Sequence, residues 1–247
     1  MPDSTVISPV TGVSFDGVHS YLEWGLKLKK VSIGMPSAKT EYIDVPGMNG
    51  SLDLTEQQNG GVKYSMRTLE FVFDSRNCNY LKWTNLISRI AGAIQGKERR
   101  IILDMDSGFY YVGRCAIDTK KTDEVLAEIT ITCTCEPYKI DVLSSDEPWK
   151  WDTFSFIDGV IRSTSDIQID SSTSPSGWQK VVLNGWMYND VMRIVSNASM
   201  TVRYRNYTYF VYSGDNYMYD IELYEGENEL YFQGKGTITI VHRGGMI

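Results

Sequence analysis

Residues Glu41–Phe73 read EYIDVPGMNGSLDLTEQQNGGVKYSMRTLEFVF, and polar and apolar side chains alternate along most of this stretch. A period of two is typical of β-strands that bury one face. Pro46-Gly47 and Asn49-Gly50 interrupt the alternation and predict a tight turn, and Asn59-Gly60-Gly61 predicts a hairpin loop. We therefore expect strand, turn, strand, hairpin loop and strand, in this order.

The alternation changes phase by one residue near the end of the same stretch. Val62, Tyr64 and Met66 share one face, whereas Leu69 and Phe71 fall on the opposite set of positions. A β-bulge inserts one extra residue into a strand and produces such a shift. The sequence therefore predicts a bulge within one continuous strand.

The composition is that of a globular protein rather than of a membrane or nucleic-acid-binding protein. The chain has 247 residues, 42% hydrophobic content and a formal net charge of −7. This length predicts one large or two small domains. The acidic balance lacks the basic footprint of a nucleic-acid binder. No apolar run approaches 18 residues and no signal peptide is recognisable, so we expect neither membrane insertion nor export.

One segment changes from the strand period to the helix period. Residues Asn77–Gln95 carry apolar side chains at the spacing of an amphipathic helix, and Gly96 follows as a terminator. The apolar positions of this helix are Leu81, Trp83, Leu86, Ile87, Ile90, Ala91 and Ile94. A single helix among many strands is expected to cover one face of a sheet.

An acidic segment with Trp and Pro, residues 141–152, is the predicted domain boundary. We expect an N-terminal domain over residues 1–140 and a C-terminal domain over residues 141–247. The second domain alternates short strands with polar turns, as a β-sandwich or barrel does. The predicted strands are Asp166–Asp170, Gln179–Leu183, Asp190–Val195, Met200–Tyr204, Tyr207–Tyr212, Asp220–Tyr224, Glu229–Gln233 and Thr237–His242.

Residues that carry catalytic chemistry are scarce. The chain has only two histidines, His19 and His242, near opposite ends, which argues against a catalytic triad or a multi-histidine metal site. Cys133 and Cys135 share one face of a predicted strand, and two buried, reduced thiols explain them better than half a metal site. The sequence therefore predicts a protein that is not an enzyme, with no catalytic, cofactor or metal residues.

Aromatic residues of the second half form a candidate surface for a partner or a glycan. The candidates are Trp178, Trp186, Tyr209 and Tyr217. Stacking aromatics beside Asn and Asp suit a carbohydrate. Core packing and protein contacts are the alternative, because Tyr and Trp are enriched at both.

Several segments, taken in order, resemble the siphophage distal tail proteins (Dit). In the first half they are Asp44–Gly50, Leu52–Leu54, Tyr64–Arg67, Leu69–Phe71, Gly96-Lys97 with Ile101–Asp104, Phe109–Arg114 and Glu136–Lys139. In the second half they are Leu223–Leu230, Gly236–Ile240 and Arg243-Gly244. The match covers roughly the first half of the chain and is weaker in the second half.

The resemblance implies a mainly β protein of a phage or prophage tail. The family's N-terminal domain is a β-sandwich with one helix, and six copies close into a ring at the baseplate hub. Its C-terminal domain is a galectin-like β-sandwich that serves as an attachment arm, and in some relatives the last strand returns to the N-terminal domain. The expected location is the tail tip of the virion, after assembly in the bacterial cytoplasm.

The resemblance also implies partners. They are further copies of the chain in a homo-hexamer, the tail tube protein, a tail-associated lysin or tip protein, and a receptor-binding protein. DNA is expected only as cargo that passes through the lumen. The sequence does not identify the host, the receptor or the set of baseplate proteins.

Ring contacts are expected in the turn-rich part of the opening stretch. The candidates are Tyr42, Val45, Pro46, Met48, Leu52 and Asn59. Exposed strand edges and hairpins suit subunit contacts because they can pair across chains. The alternative is that these loops are solvent-exposed connectors. The rival functions are a carbohydrate-binding module of a host-recognition protein and, third, a galectin-fold enzyme.

Overall fold

A computed structural model describes residues 11–56, 61–76, 80–121, 126–147 and 164–247. The described chain is mainly β with antiparallel sheets and one α-helix, which confirms the predicted fold class. It divides into two compact units, Met1–Lys139 with Ile247, and Ile140–Met246. Among the described residues, no helix combines the length and the apolar character that a membrane crossing requires.

The described part of the first unit contains eleven strands and one helix. They are β1 (Val13–Phe15), β2 (Val18–His19), β3 (Lys27–Ile33), β4 (Ala38–Lys39), β5 (Tyr42–Asp44), β6 (Ser51–Asp53), β7 (Lys63–Tyr64), β8 (Arg67–Arg76), α1 (Tyr80–Ile94), β9 (Glu98–Leu103), β10 (Phe109–Lys121) and β11 (Leu126–Cys135). The strand β12 (Lys139–Asp141) follows. The main sheet of this unit runs β2-β1-β9-β10-β11-β8-β3, with every pair antiparallel.

The core of the first unit lies on one face of this sheet. In register, Phe73 of β8 faces Ile129 of β11, and Phe71 faces Ile131, all fully buried. Burying each such side chain contributes about 1.5–3 kcal/mol. The helix α1 adds Trp83, Ile90 and Ile94 to the same core. The sheet and the helix therefore share one hydrophobic interior.

The predicted helix is confirmed, with two differences. It spans Tyr80–Ile94, and residues 77–79 lie outside the described part of the chain. Leu81, predicted on the apolar face, is 73% exposed. At about 100° per residue, position 81 lies on the side opposite Ile90, so the spacing there does not match the buried stripe. Gly96 ends the segment with φ +68°, as the terminator prediction requires.

The predicted bulge is a break between two strands. β7 ends at Tyr64 and β8 begins at Arg67. β7 pairs with β4, whereas β8 pairs with β3 and β11. The change of phase therefore marks the point where the chain leaves one sheet and enters another.

The predicted hairpin loop at Asn59-Gly60-Gly61 does not join paired strands. β6 pairs with β5, and β7 pairs with β4. The strands β4, β5, β6 and β7 therefore form one longer hairpin, with the turn between β5 and β6 at its tip. Residues 57–60 of the predicted loop lie outside the described part of the chain. Sequence alternation identifies strands but not their partners, which explains the difference.

In its described residues, the second unit is a sandwich of two four-stranded sheets, with one further short pair of strands. After β12 its strands are β13 (Ile167–Asp170), β14 (Gln179–Gly185), β15 (Tyr188–Asn189), β16 (Met192–Ser196), β17 (Met200–Tyr204), β18 (Tyr207–Val211), β19 (Gly214–Met218), β20 (Gly226–Gln233), β21 (Lys235–Val241) and β22 (Gly244–Met246). One sheet runs β13-β21-β16-β19, and the other runs β14-β20-β17-β18. Buried residues of both, such as Ile194 and Phe232, belong to one core.

The strand predicted over Asp220–Tyr224 is wrong, and the strand β19 lies just before it. Ile221 and Leu223 are buried, which explains the alternation that suggested a strand. The backbone N–H and carbonyl of Tyr224, however, both bond to the Asn228 side chain, and the Tyr204 hydroxyl oxygen lies 3.0 Å from the carbonyl oxygen of Glu222. Side chains therefore replace a neighbouring strand as hydrogen-bond partners.

Candidate functional site

An exposed two-stranded extension leaves the main sheet of the first unit, and we call it the arm (residues 37–56 and 61–65). At its base Ala38 faces Tyr64, and further out Ile43 faces Leu52. Every residue from position 37 to position 53 is exposed. A two-stranded ribbon is only marginally stable by itself, because it has no second layer to bury its apolar side chains.

The two faces of the arm differ in chemistry. Ile43 and Leu52 form a cross-strand pair, and alternation places Val45 on the same side. These three residues, the apolar face of the arm, are each more than 40% exposed. The opposite face is polar, and there the Ser51 hydroxyl donates to the Asp44 carboxylate at 2.6 Å. The arm is therefore an amphipathic ribbon whose apolar face is open in the isolated chain.

The tip of the arm is a tight turn. The Met48 N–H donates to the carbonyl of Val45 at 3.1 Å, and Gly47 has φ +84°. Pro followed by a residue at positive φ is the signature of a type II turn, so glycine is required here. The Met48 side chain is 44% exposed at this tip.

A buried arginine holds the root of the arm. Arg67 is 3% exposed, and it donates from Nε to the Gly34 carbonyl at 2.9 Å and from Nη1 to the Pro137 carbonyl at 3.2 Å. Its guanidinium also lies 5.2 Å from the ring centroid of Tyr111. A buried charge is tolerated only with such partners. Arg67 therefore connects the start of the arm to the body of the unit.

Five of the six predicted ring-contact residues lie on the exposed arm, but on different surfaces. Val45 and Leu52 belong to the apolar face, whereas Tyr42 pairs with Asp53 on the polar face. Pro46 and Met48 lie in the turn, and Asn59 lies outside the described residues. Ile43 lies within the predicted contact segment Tyr42–Leu54 and completes the apolar face, although it is not among the six named candidates.

A polar cleft lies on the second unit, over the sheet β14-β20-β17-β18. Its volume is about 610 Å³. The lining residues are Arg203, Tyr204, Arg205, Asn206, Tyr224, Glu227, Asn228, Glu229 and Tyr231. The cleft combines two guanidinium groups, two carboxylates, an exposed amide and several aromatic rings. It is thus equipped with both donors and acceptors of hydrogen bonds.

Both arginines of the cleft form cation–π contacts with neighbouring aromatic rings. The Arg203 guanidinium lies 4.6 Å from the Trp178 ring centroid and 5.1 Å from that of Tyr231. The Arg205 guanidinium lies 3.8 Å from the Tyr224 ring centroid. Cation–π contacts of this kind restrict the side chains without using their N–H donors.

The floor of the cleft is a buried hydrogen-bond network. Asn228 is 5% exposed, and its Oδ1 accepts from the Tyr204 hydroxyl at 2.8 Å and from the Tyr224 N–H at 2.9 Å. Its Nδ2 donates to the Tyr224 and Gly226 carbonyls. Burial raises the pKa of Tyr204 above its usual value, which already lies well above neutral pH.

The structure does not bring the four predicted glycan residues together. Trp178 flanks the cleft through Arg203. Trp186 packs against Gly244, where a Cβ atom would lie 2.3 Å from its ring. Tyr209 packs against the core of the sandwich, and Tyr217 stacks on Tyr219 on the other sheet. The arginines of the cleft were missed because the sequence does not show that β17 lies beside β20.

The cysteines of the first unit belong to its core. Cys115, Cys133 and Cys135 are buried and free, which confirms the expected burial of the latter two. Burial raises the pKa of Cys135 to about 12, and the hydrogen bond with Cys115 raises the pKa of Cys133. Cys78 lies outside the described residues. Protonated, buried thiols are poor nucleophiles and poor metal ligands.

Both histidines have structural surroundings. His19 Nε2 lies 3.0 Å from the Asp104 carboxylate, which also accepts from the Gly12 N–H. His242 is buried, and its backbone N–H donates to the Ser145 hydroxyl. Over the described ranges, no group of three His, Cys, Asp or Glu side chains is placed to hold a metal ion.

The fold belongs to a class of mainly β proteins with a helix-bearing first unit and a sandwich as the second. A solved structure with a similar fold is the SPP1 Dit protein (gp 19.1), described as a paradigm of hub adsorption apparatus in Gram-positive infecting phages. It aligns with a TM-score of 0.59 and 11% identity over 96% of this chain and 100% of that chain. At this identity the likeness shows the fold alone. No protein-family model and no curated protein matches the sequence.

Proposed function

We propose that this chain is a structural component of a phage tail tip, a distal tail protein that forms the hub between the tail tube and the adsorption apparatus. The observation that carries the proposal is the open apolar face of the arm, formed by Ile43, Val45 and Leu52. The similarity in fold to the SPP1 hub protein supports it. The proposed role requires no catalysis.

The physical argument starts from the cost of exposing the apolar face. Exposed apolar side chains that lie side by side are typical of surfaces that a partner covers. A ring closes when each subunit offers two different, complementary surfaces to its two neighbours. We assign the apolar face of the arm to one of these surfaces. The number of six subunits is taken from the resemblance to the Dit family.

Two double variants test the ring contact. Ile43→Lys with Leu52→Lys places two charges on the apolar face, and Asp44→Lys with Ser51→Lys places two charges on the polar face of the same strands. Light scattering on a sizing column and negative-stain images, with and without the tail tube protein, then report assembly. We expect sixfold rings for the wild type and for the polar-face variant, but not for the apolar-face variant. Rings of the apolar-face variant would exclude this contact.

The other proposed partners follow from the place of a hub in the tail. They are the tail tube protein on one side and a tail-associated lysin or tip protein on the other, with a receptor-binding protein at the periphery. Co-purification with each of these proteins tests this set. Detection of the chain in purified virions, with loss after removal of the tail tip, tests the proposed location.

The net charge of −7 suits a channel through which DNA passes without binding, since like charges repel. Replacing acidic residues that face the lumen by lysine is expected to create DNA binding that weakens with salt. If no such replacement at any position creates binding, the proposed passage of DNA loses its support.

A further inference from the structure

Two cysteines of the first unit face each other across the middle of its main sheet. Cys115 lies on β10 and Cys133 lies on β11, and the two are direct partners in the antiparallel register. Both strands are inner strands, since β9 flanks β10 and β8 flanks β11. Both side chains belong to the hydrophobic core, with exposed fractions of 1% and 0%. Nothing in the hub proposal uses this pair, so the inference goes beyond that proposal and is independent of it.

The backbone of Cys115 shows which kind of cross-strand pair this is. Its N–H donates to the Lys97 carbonyl at 3.1 Å, and its carbonyl accepts from the Gly96 N–H at 2.8 Å. Both groups therefore point away from β11, so Cys115 and Cys133 form a non-hydrogen-bonded pair of the β10–β11 ladder. At such positions the two Cα atoms lie about 4.5 Å apart and the side chains approach most closely. This separation falls within the range of roughly 4.4–6.8 Å that a disulfide spans.

The two sulfur atoms lie side by side in the core. Cys133 Sγ is 2.8 Å from Cys115 Sγ. A covalent S–S bond is about 2.05 Å long, so the two atoms approach by less than about 1 Å when they bond. Neither strand has to change its register for this step. The sheet therefore holds two thiols in the arrangement that a disulfide requires.

The register disfavours Cys135, the third described thiol, as a partner of either cysteine. Across the ladder it faces Gly113, which has no side chain. It lies on the same face as Cys133, two residues further along β11, where the Cα atoms are about 6.8 Å apart and the Cα–Cβ bonds run parallel instead of converging. Its thiol instead donates to the Cys133 carbonyl at 3.7 Å. Among the described cysteines, the native geometry thus selects Cys115 and Cys133.

We propose that Cys115 and Cys133 form a redox-sensitive pair, which oxidation converts into a disulfide that joins β10 to β11. Two S–H bonds break and one S–S bond forms, and the two protons and two electrons pass to a small oxidant. Dioxygen is such an oxidant and leaves as hydrogen peroxide. The bond closes the chain segment between the two strands, which restricts the unfolded state more than the folded one. The oxidised form is therefore the more stable one.

Burial limits the rate of this reaction and the kind of oxidant. The thiolate is the form that reacts, and the hydrogen bond with Cys115, together with burial, raises the pKa of Cys133. The reaction is therefore slow in the folded chain. A large thiol reagent does not reach a core position, so mixed disulfides with outside thiols do not compete while the unit stays folded.

The test oxidises the purified full chain with diamide, a small azo compound whose N=N bond takes up the two hydrogen atoms. Mass spectrometry of the intact chain and of a tryptic digest, both without reductant, reports the cross-link. We expect the mass of the folded chain to fall by about 2 Da, which corresponds to the two hydrogen atoms lost when one disulfide forms.

The tryptic peptides and two variants assign the cross-link. Trypsin releases Cys115 in residues 115–120, Cys133 together with Cys135 in residues 122–139, and Cys78 in residues 77–82. We expect a link between the first two peptides in the wild type and in Cys135→Ala, but not in Cys133→Ala. Oxidation in about 8 M urea is the matched control, because an unfolded chain pairs its thiols without regard to the register. Links that include Cys78 or Cys135 should appear there.

The cross-link should also stabilise the first unit. Urea denaturation compares the oxidised and the reduced wild type, and we expect oxidation to raise the midpoint by about 1 M or more. The same treatment should leave the midpoint of Cys133→Ala unchanged, because that variant lacks one of the two sulfur atoms.

Three results would overturn the proposal. They are a folded wild type in which residues 115–120 and 122–139 stay unlinked, a link that persists in Cys133→Ala, and an oxidised wild type with a lower urea midpoint than the reduced one. All three are measured on the chain without the tail tube protein, so none of them depends on ring assembly. The absence of rings in the wild type would count against the hub proposal alone.

Discussion

The two units of this protein present opposite kinds of surface on similar antiparallel strands. The arm of the first unit exposes aliphatic side chains on a ribbon without a second layer. The second unit covers the outside of one sheet with arginines, carboxylates and aromatic rings around a cleft. Neighbouring exposed apolar side chains are typical of a surface that a partner covers, whereas a cleft of charged and aromatic residues offers donors and acceptors of hydrogen bonds. The same secondary structure therefore presents two kinds of surface.

The interiors of the two units also differ. The first packs a helix on one sheet and, among its described residues, includes three buried thiols. The second packs two sheets on each other, and its buried polar groups form a network around Asn228. Substitutions in each interior should therefore act on one unit and leave the other unchanged.

The largest expected effect is that of core truncation. Phe71→Ala should lower the unfolding free energy of the first unit by about 3–5 kcal/mol, because it leaves a cavity among fully buried residues. Phe232→Ala should do the same to the second unit. Hydrogen exchange measured peptide by peptide assigns each loss, and Phe210→Ala, at a 63% exposed site, is the control. Equal loss of protection in both units after either core substitution would contradict this separation.

A smaller effect is expected at the root of the arm. Arg67→Met leaves the carbonyls of Gly34 and Pro137 without their donor, which should cost about 1–3 kcal/mol. Arg193→Met in the second unit removes an ion pair at the surface and should cost about 0–1 kcal/mol. Urea denaturation compares the two variants. If both changes cost the same, Arg67 does not have the anchoring role assigned to it.

The pH dependence of stability should distinguish the thiol-containing unit. The folded-state pKa of Cys135 is raised to about 12 from an ordinary value of about 9. Between these values the unfolded chain has lost the thiol proton and the folded chain has kept it, so stability falls as pH rises. Each such thiol contributes about 1.4 kcal/mol per pH unit.

The measurement is urea denaturation of wild type and Cys135→Ala from pH 8 to pH 10.5. Above pH 9 the wild type should lose stability more steeply than the variant, by about 1.4 kcal/mol per pH unit. Parallel curves would show that Cys135 ionises as readily in the folded chain as in the unfolded one.

The smallest effect on stability is expected at the apolar face of the arm. Ile43→Lys with Leu52→Lys should change the unfolding free energy by less than about 0.5 kcal/mol, because both side chains are already exposed. The urea midpoint of the non-assembled protein checks this value. A loss comparable to that of Phe71→Ala would mean that the arm packs against the unit in solution.

The period of apolar residues was enough to predict helices and strands that bury one face. The helix over Tyr80–Ile94 and the strand β17 were predicted within a few residues, because each buries one face and so imposes its period on the sequence. The mainly β class follows from the same signal. Asp220–Tyr224 shows the limit, since its buried residues alternate although its backbone is bonded by side chains instead of a strand.

The sequence by itself determined the period of each segment, the turn at Pro46-Gly47 and the scarcity of catalytic residues, because these depend on neighbours in the chain. The tertiary structure alone decided which strands pair. The pairing of β5 with β6 puts Tyr42 and Leu52 on opposite faces of the arm. The pairing of β17 with β20 puts Arg203 beside Tyr231 in the cleft. Strand pairing depends on burial and hydrogen bonding between residues that are far apart in sequence. The local alternation of polar and apolar residues therefore does not indicate which strands pair.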